Sequence, residues 1–196
     1  MNNLLQNLDN YNIILASQSP RRQELLRGLN LKFEVKVIDV EEDFPAEIVG
    51  VDIPMYLAEK KANAYNSIMN ENTMIITADT IVWHEGKVLG KPVDIVDARR
   101  MLHTLSGKTH QVITGVCIST LKRRKIFHVI SDVRFAKLTD GEMEYYLENF
   151  QPYDKAGSYG VQEWIGYVGV EHINGSYFNV MGLPIQRLYT ELKRWK

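Results

Sequence analysis

A single cysteine in 196 residues, Cys117, excludes an intrachain disulfide and argues against a thiolate zinc site. It lies in the apolar run Val116-Cys117-Ile118 and reads as a small core residue. An excess of one charge sign is also missing. Lys and Arg number 23 against 24 Asp and Glu, a net charge of −1. No global field therefore points to nucleic acid or anionic lipid, and any anion site must be a local concentration of cations. No apolar run approaches the ~20 residues a membrane helix needs. The opening Met1-Asn2-Asn3-Leu4-Leu5-Gln6-Asn7 lacks the basic and apolar regions of a signal peptide, so a cytoplasmic protein is expected. The sequence contains no G-x-x-x-x-G-K-[ST], G-x-G-x-x-G, H-E-x-x-H or G-x-S-x-G. These absences argue against P-loop, dinucleotide-binding, zincin and serine-hydrolase chemistry. His84, His103, His110, His128 and His172 form no close ligand spacing, which argues against a histidine zinc site.

What is present is ordinary for a soluble domain: 45% hydrophobic and 24% charged residues. The length fits one domain, residues 1–196, with room for two lobes. There are no internal repeats or low-complexity linkers. Tyr11 to Ser17 reads as a buried strand and Pro20 to Leu29 as a helix. Lys32 to Asp39 alternates as a half-buried strand does, and an acidic loop with Glu41, Glu42 and Asp43 leads to a helix from Pro54 to Met69. Thr73 to Trp83 reads as a strand with a hairpin turn at Glu85-Gly86, and Asp94 to Leu105 as a helix capped by Ser106-Gly107. Gln111 to Leu121 and Ile126 to Leu138 read as two long strands. The basic run Lys122-Arg123-Arg124-Lys125 between them reads as a solvated hairpin tip rather than a nucleic-acid surface. A helix over Asp140 to Asn149, a strand around Ile165 to Ile173 and a last helix from Pro184 to Trp195 complete an α/β pattern: a mixed central sheet flanked by helices.

Chemistry concentrates at three places. In Leu15-Ala16-Ser17-Gln18-Ser19-Pro20-Arg21-Arg22, Ser19 fits a helix N-cap and Pro20 the first helical position. Arg21 and Arg22 then occupy the positive end of the helix dipole, normally the wrong end for cations. An anion on the free N–H groups would resolve the conflict, and so would exposure with pairing to Glu24 or the acidic loop. Arg22 shares the inward stripe of Leu25, Leu26 and Leu29. At the second place, Asp79 ends the apolar run of Met74-Ile75-Ile76-Thr77-Ala78, where open α/β sheets bind ligands. It could hold a divalent ion, take a proton from water, or simply serve as a turn residue. A second carboxylate from the Glu41-Glu42-Asp43 loop would complete a minimal Mg²⁺ or Mn²⁺ arrangement. The third place is a set of lysines. Lys61 falls on the apolar face of its helix and needs either a partner or a route to solvent. Lys91 sits in the turn Gly90-Lys91-Pro92, and Lys155 in the loop Tyr153-Asp154-Lys155-Ala156-Gly157.

Four ordered segments resemble the Maf family of nucleotide pyrophosphatases. They are Leu15-Ala16-Ser17 to Ser19-Pro20-Arg21-Arg22; Ala78-Asp79-Thr80 with Gly90-Lys91-Pro92; Leu105-Ser106-Gly107 to His110 with Thr114-Gly115-Val116; and Asp154-Lys155-Ala156-Gly157 through Tyr159-Gly160-Val161-Gln162. Ile173-Asn174-Gly175-Ser176-Tyr177 and Gly182-Leu183-Pro184 extend the likeness to nearly the whole chain. The resemblance implies an elongated Maf/ITPase-like fold with a central cleft, often a homodimer, and a divalent cation such as Mg²⁺, Mn²⁺ or Co²⁺. It implies Asp79 as general base, and Arg21, Thr80 and Gln162 as residues selecting the nucleotide. Ser17, Arg22, Glu42, Lys61, Lys91 and Lys155 become further site residues, with Glu42 beside Asp79 at the metal, and Ser19 joins them from the anion reading of the helix start. Ala78-Asp79-Thr80 resembles the subgroup acting on dTTP and UTP. The implied reaction cuts a pyrimidine nucleoside triphosphate to its monophosphate and pyrophosphate, with no stable nucleic-acid or membrane partner. The alternative is a nucleotide-binding regulator of septum formation without turnover. Gln18 and Glu163 depart from the family pattern, which commonly has Gly at both positions.

Overall fold

The computed structural model describes residues 4–196. Its strands and helices are β1 (Asn12–Leu15), α1 (Pro20–Arg27), β2 (Glu34–Val35), α2 (Asp52–Asn63), β3 (Thr73–His84), β4 (Lys87–Leu89), α3 (Ile95–Leu105), β5 (Thr109–Ser119), β6 (Arg124–Phe135), α4 (Asp140–Phe150), α5 (Trp164–Gly169), β7 (Val170–Asn174), α6 (Tyr177–Val180) and α7 (Ile185–Lys193). The strands form one seven-stranded mixed sheet in the order β2-β1-β3-β5-β6-β7, with β4 pairing back onto β3. The β1 strand is parallel to both β2 and β3, whereas β3–β4 and β6–β7 are antiparallel. The expected α/β class with a mixed, helix-flanked sheet is what the chain builds. No helix among the described residues is long and apolar enough to cross a membrane.

The chain divides into two compact units. The first takes residues up to Asp79, Thr114–Val129 and Gly182–Lys196; the second takes Thr80–Ile113 and Ile130–Met181. The boundary within β3 thus falls between Asp79 and Thr80.

In the first unit, the register of β1 against β3 runs from Asn12 opposite Thr73 to Leu15 opposite Ile76. Ala16 N–H continues it by donating to Ile76 O at 2.9 Å. This register sets Ser17 level with Ala78–Asp79 at the middle of β3, so the carboxyl end of β1 and the acid of β3 lie side by side. Thr77 secures α2 to the same strand by donating its hydroxyl to Ala58 O at 2.6 Å. The first turn of α2 approaches β5 so closely that a Cβ on Gly115 would sit 2.3 Å from the Pro54 carbonyl. Only glycine permits that approach. Cys117 is fully buried beside Ala58 and Ala62, and burial pushes its thiol up to about 12, which fits the core role expected of it.

The expected strand Lys32 to Asp39 shrinks to the two residues Glu34–Val35. The hydroxyl of buried Tyr65 donates to Lys36 O at 2.7 Å and accepts from Ile38 N–H at 3.0 Å. Lys36 N–H still donates to Leu15 O of β1 at 3.3 Å, and beyond it the Tyr65 side chain, in place of a neighbouring strand, satisfies the backbone after β2. The expected helix from Pro54 to Met69 runs instead from Asp52 to Asn63, with a separate short turn at Asn66–Ile68. At the tip between β5 and β6 three of the four cations find a partner within the chain. Arg123 lies over the Trp195 ring, Arg124 pairs with Glu59 at 3.0 Å, and Lys122 lies 3.7 Å from Glu71.

The second unit buries an apolar cluster of its own. Met101, Leu102 and Leu105 of α3, Met143, Tyr146 and Leu147 of α4, and Phe135, Tyr159 and Ile165 meet there. Asp94 caps α3 by accepting from Asp97 N–H at 2.8 Å, and Thr139 with Glu142 forms a reciprocal capping box at the start of α4. The strand expected around Ile165 to Ile173 is a correction. Residues Trp164–Gly169 form a helical turn and a half, and only Val170–Asn174 is a strand. Ile165 and Gly169 are buried while Tyr167 and Val168 are exposed, so burial follows the i, i+4 spacing of a helix.

Candidate active site

At the β1–α1 junction the backbone follows the serine and proline signals of the sequence. Ser19 is the N-cap, its hydroxyl accepting from Arg22 N–H at 3.4 Å, and Pro20 is the first helical residue. Ser17 is buried and accepts from Ser19 N–H through its own hydroxyl at 3.2 Å. Arg21 and Arg22 are both half-buried. Arg22 points inward, as its stripe with Leu25 and Leu26 requires. Its Nε donates to Gly182 O at 2.8 Å and its Nη1 to Ala78 O at 2.7 Å. One arginine thereby fixes the peptide directly before Asp79 and ties it to the segment ahead of α7. Burial lowers the Arg22 pKa; Asp79 opposes that effect and neighbouring Arg21 adds to it. The guanidinium remains a cation.

Asp79 is buried, with 10% of its side chain exposed, at the place in β3 that the sequence indicates. Lys61 on α2 reaches it with an Nζ–Oδ1 distance of 2.6 Å and reaches Glu42 Oε1 at 2.8 Å. The awkward lysine of the sequence thus has two partners, and they are the two carboxylates expected at a metal. Asp43 in the same loop pairs instead with Lys60. Among the described residues no three His, Cys, Asp or Glu side chains gather into a metal centre, so a cation here would have two protein carboxylates. The donor chemistry fits nonetheless. Two hard carboxylate oxygens already converge on one cation, the Lys61 ammonium, and Mg²⁺ or Mn²⁺ is commonly held by one or two carboxylates plus substrate phosphates. Ser17, Ser19, Arg21, Arg22, Glu42, Lys61 and Asp79 all belong to the first unit.

Thr80, Lys91, Lys155 and Gln162 belong to the second. Thr80 follows Asp79 directly along β3 and is half-buried. Lys91 is exposed in the turn after β4. Gly157 N–H donates to Gly90 O at 3.0 Å, which joins the turn of Lys91 to the loop of Lys155. Lys155 is buried, with 9% of its side chain exposed, between Asp154 at 2.7 Å and Glu163 at 2.9 Å. Sequence reasoning left these two partners unassigned. Asp154 is simply adjacent, and the signal for Glu163 was its place as a charged departure beside Gln162.

His110 is a core residue. Its Nε2 lies 2.8 Å from the Tyr159 hydroxyl, and its ring packs edge-on against Phe135 and Tyr159. Burial, with a smaller contribution from His84, lowers its pKa from 6.5 to about 3, so the ring is neutral at ordinary pH.

A family model described as "Maf-like protein" matches residues 12–195. The chain is 59% identical over 192 residues to a Bacteroides fragilis (strain YCH46) protein named "dTTP/UTP pyrophosphatase", covering 97% of this chain and 100% of that one. A protein of the same name from Porphyromonas gingivalis (strain W83) is 55% identical over 193 residues, covering 97% of each chain. Another from Flavobacterium johnsoniae is 48% identical over 189 residues, covering 96% of this chain and 97% of that one. Among solved structures, the Staphylococcus aureus Ham1 protein superposes with a TM-score of 0.51 over 92% of this chain and 99% of that chain. At 14% identity that likeness concerns the fold alone. Agreement with the family model over residues 12–195, together with relatives more than half identical, places the chain in the Maf family.

Proposed function

We propose that this chain is a nucleoside triphosphate pyrophosphatase that hydrolyses dTTP and UTP to the monophosphate and pyrophosphate. The observation that carries this reading is the Glu42–Lys61–Asp79 triad at the middle of β3, level with the anion-suited start of α1. Two carboxylates, an ammonium and two arginines there match the charges of a metal-bound polyphosphate. A divalent cation, Mg²⁺, Mn²⁺ or Co²⁺, held by Asp79 and Glu42, would offset charge on the phosphate oxygens.

Asp79 accepts a proton from water, and the water oxygen attacks the α-phosphorus. The bond from that phosphorus to the α–β bridging oxygen breaks. Pyrophosphate leaves with the bridging oxygen, and the proton passes from Asp79 to solvent. Ser17, Ser19, Arg21, Arg22 and Lys61 bind and orient the phosphates from the first unit, and Lys91 and Lys155 from the second. Arg22 has the added task of fixing the Ala78–Asp79 peptide. Thr80 and Gln162 read the base, since both combine donors and acceptors, as the O4 and N3–H edge of uracil or thymine requires. We further propose a cytosolic homodimer, the state that the family resemblance implies.

A nucleotide panel with a divalent ion tests the reading, with pyrophosphate and monophosphate measured together. UTP and dTTP should each give one pyrophosphate per monophosphate, ahead of ATP, GTP and ITP. Tight UTP binding without turnover would favour the regulator of septum formation. Release of inorganic phosphate would make the protein a phosphatase, and preference for ITP a purine house-cleaning enzyme.

A further inference from the structure

The loop that carries Lys155 and Gln162 is closed by an ion pair of its own. Lys155 Nζ lies 2.9 Å from Glu163 Oε1, with only 9% and 19% of the two side chains exposed. The other carboxylate oxygen of Glu163 accepts from the Tyr146 hydroxyl on α4, whose oxygen in turn accepts from Gly160 N–H at 3.0 Å. Glu163 N–H donates to Gly160 O at 2.9 Å, which makes residues 160–163 a tight turn with Gln162 in its centre. The ion pair crosses Gly160 so closely that a Cβ there would lie 2.8 Å from Glu163 Cδ and 3.0 Å from Lys155 Cε. Glycine at 160 is what lets the two side chains meet. Burial first, and then Glu163 itself, raise the Tyr146 pKa, so the phenol keeps its proton and acts as a fixed donor to the carboxylate.

We propose that Glu163 is a positioning residue, oriented by Tyr146, which holds Lys155 and Gln162 in fixed relation so that one loop presents a phosphate-binding ammonium and a base-reading amide to the same nucleotide. This rests on the pyrophosphatase reading and extends it to two residues that the family resemblance does not supply. A buried ammonium with a free choice of rotamers would lose binding energy to ordering; Glu163, the more buried of the two carboxylates on Lys155 beside the more exposed Asp154, narrows that choice before substrate arrives. The same clamp fixes both ends of a nine-residue segment, Lys155 to Glu163. Loosening it should therefore weaken phosphate binding and base discrimination together.

The test is steady-state kinetics on UTP and CTP with the full-length protein and the variants Glu163→Ala, Lys155→Ala, Tyr146→Phe and the Glu163→Ala/Lys155→Ala double. Glu163→Ala should raise KM for UTP about tenfold, as loss of a charged hydrogen bond does, with kcat changed less than KM. It should also narrow the UTP-to-CTP preference. Tyr146→Phe keeps the ion pair and should show a smaller loss of the same kind. The double variant should match Lys155→Ala within about twofold, because both substitutions break one unit. Multiplying losses in the double variant would overturn the proposal. So would variants that only melt earlier, with KM and base preference unchanged. If the parent releases pyrophosphate from no nucleotide, the pyrophosphatase reading fails on its own. Calorimetric UTP binding then decides this one: equal, non-additive weakening by Glu163→Ala and Lys155→Ala upholds the clamp, and unchanged binding ends it.

Discussion

Asp79→Asn should lower kcat on UTP by ~10² or more, the usual loss when a general base is removed. The substitution is nearly isosteric, and the new amide oxygen can still accept from Lys61, so the fold should survive. What disappears is the group that takes a proton from water and one of the two carboxylates available to a divalent ion. Circular dichroism and the melting temperature establish that the variant is folded, and single-turnover kinetics read the chemical step. Glu42→Gln gives the comparison. Glu42 is far more exposed than Asp79, with 44% of its side chain open to solvent, and it pairs with the same ammonium from a loop. It should raise the divalent-ion requirement more than it lowers the rate at saturating metal. If Asp79→Asn turned over at the parental rate, another residue would have to be the base.

The second large effect is on stability in acid. An imidazole in the unfolded chain takes its proton near pH 6.5, whereas folded His110 takes it only near pH 3. The folded pKa is depressed, so the unfolded state binds the proton first as the pH falls. The stability tied to neutral His110 is complete above pH 6.5 and is lost progressively towards pH 3. The slope for one group is about 1.4 kcal/mol per pH unit, and the full loss is ~5 kcal/mol. Chemical denaturation at a series of pH values between 7 and 4 should show the parent losing about one proton's worth of slope more than His110→Gln. Equal slopes in the two proteins would mean that His110 is accessible to protons in the folded state.

The parts of the site that could be read from sequence are those whose physics is local. Ser19-Pro20 marks a helix start because capping and a fixed φ act within one turn. Asp79 stands out because a carboxylate directly after the apolar run Met74–Ala78 has few structural reasons to be there. Lys61 declares a missing partner because helical periodicity places its ammonium on an apolar face. What stayed hidden depends on contacts between distant segments. Arg22 spends two donors on Ala78 and Gly182, 56 and 160 residues away, and periodicity gives only its direction. The shortening of β2 could not be foreseen because the competitor for its backbone is the hydroxyl of Tyr65, 29 residues from Lys36. The segment from Ile165 to Ile173 mixes β-branched residues with glycines, so alternation and helical spacing both fit until burial decides between them. The Lys155–Glu163 pair is close in sequence yet follows no periodic rule, since it depends on the path of an irregular loop.

Hydrolysis in ¹⁸O-labelled water tests the central claim most directly, because it reports which phosphorus the water attacks. With UTP and a divalent ion, the label should enter UMP, leaving pyrophosphate unlabelled. Label in pyrophosphate would place the attack on the β-phosphorus, and label in inorganic phosphate would place it on the γ-phosphorus. Either result would contradict the chemistry assigned to Asp79.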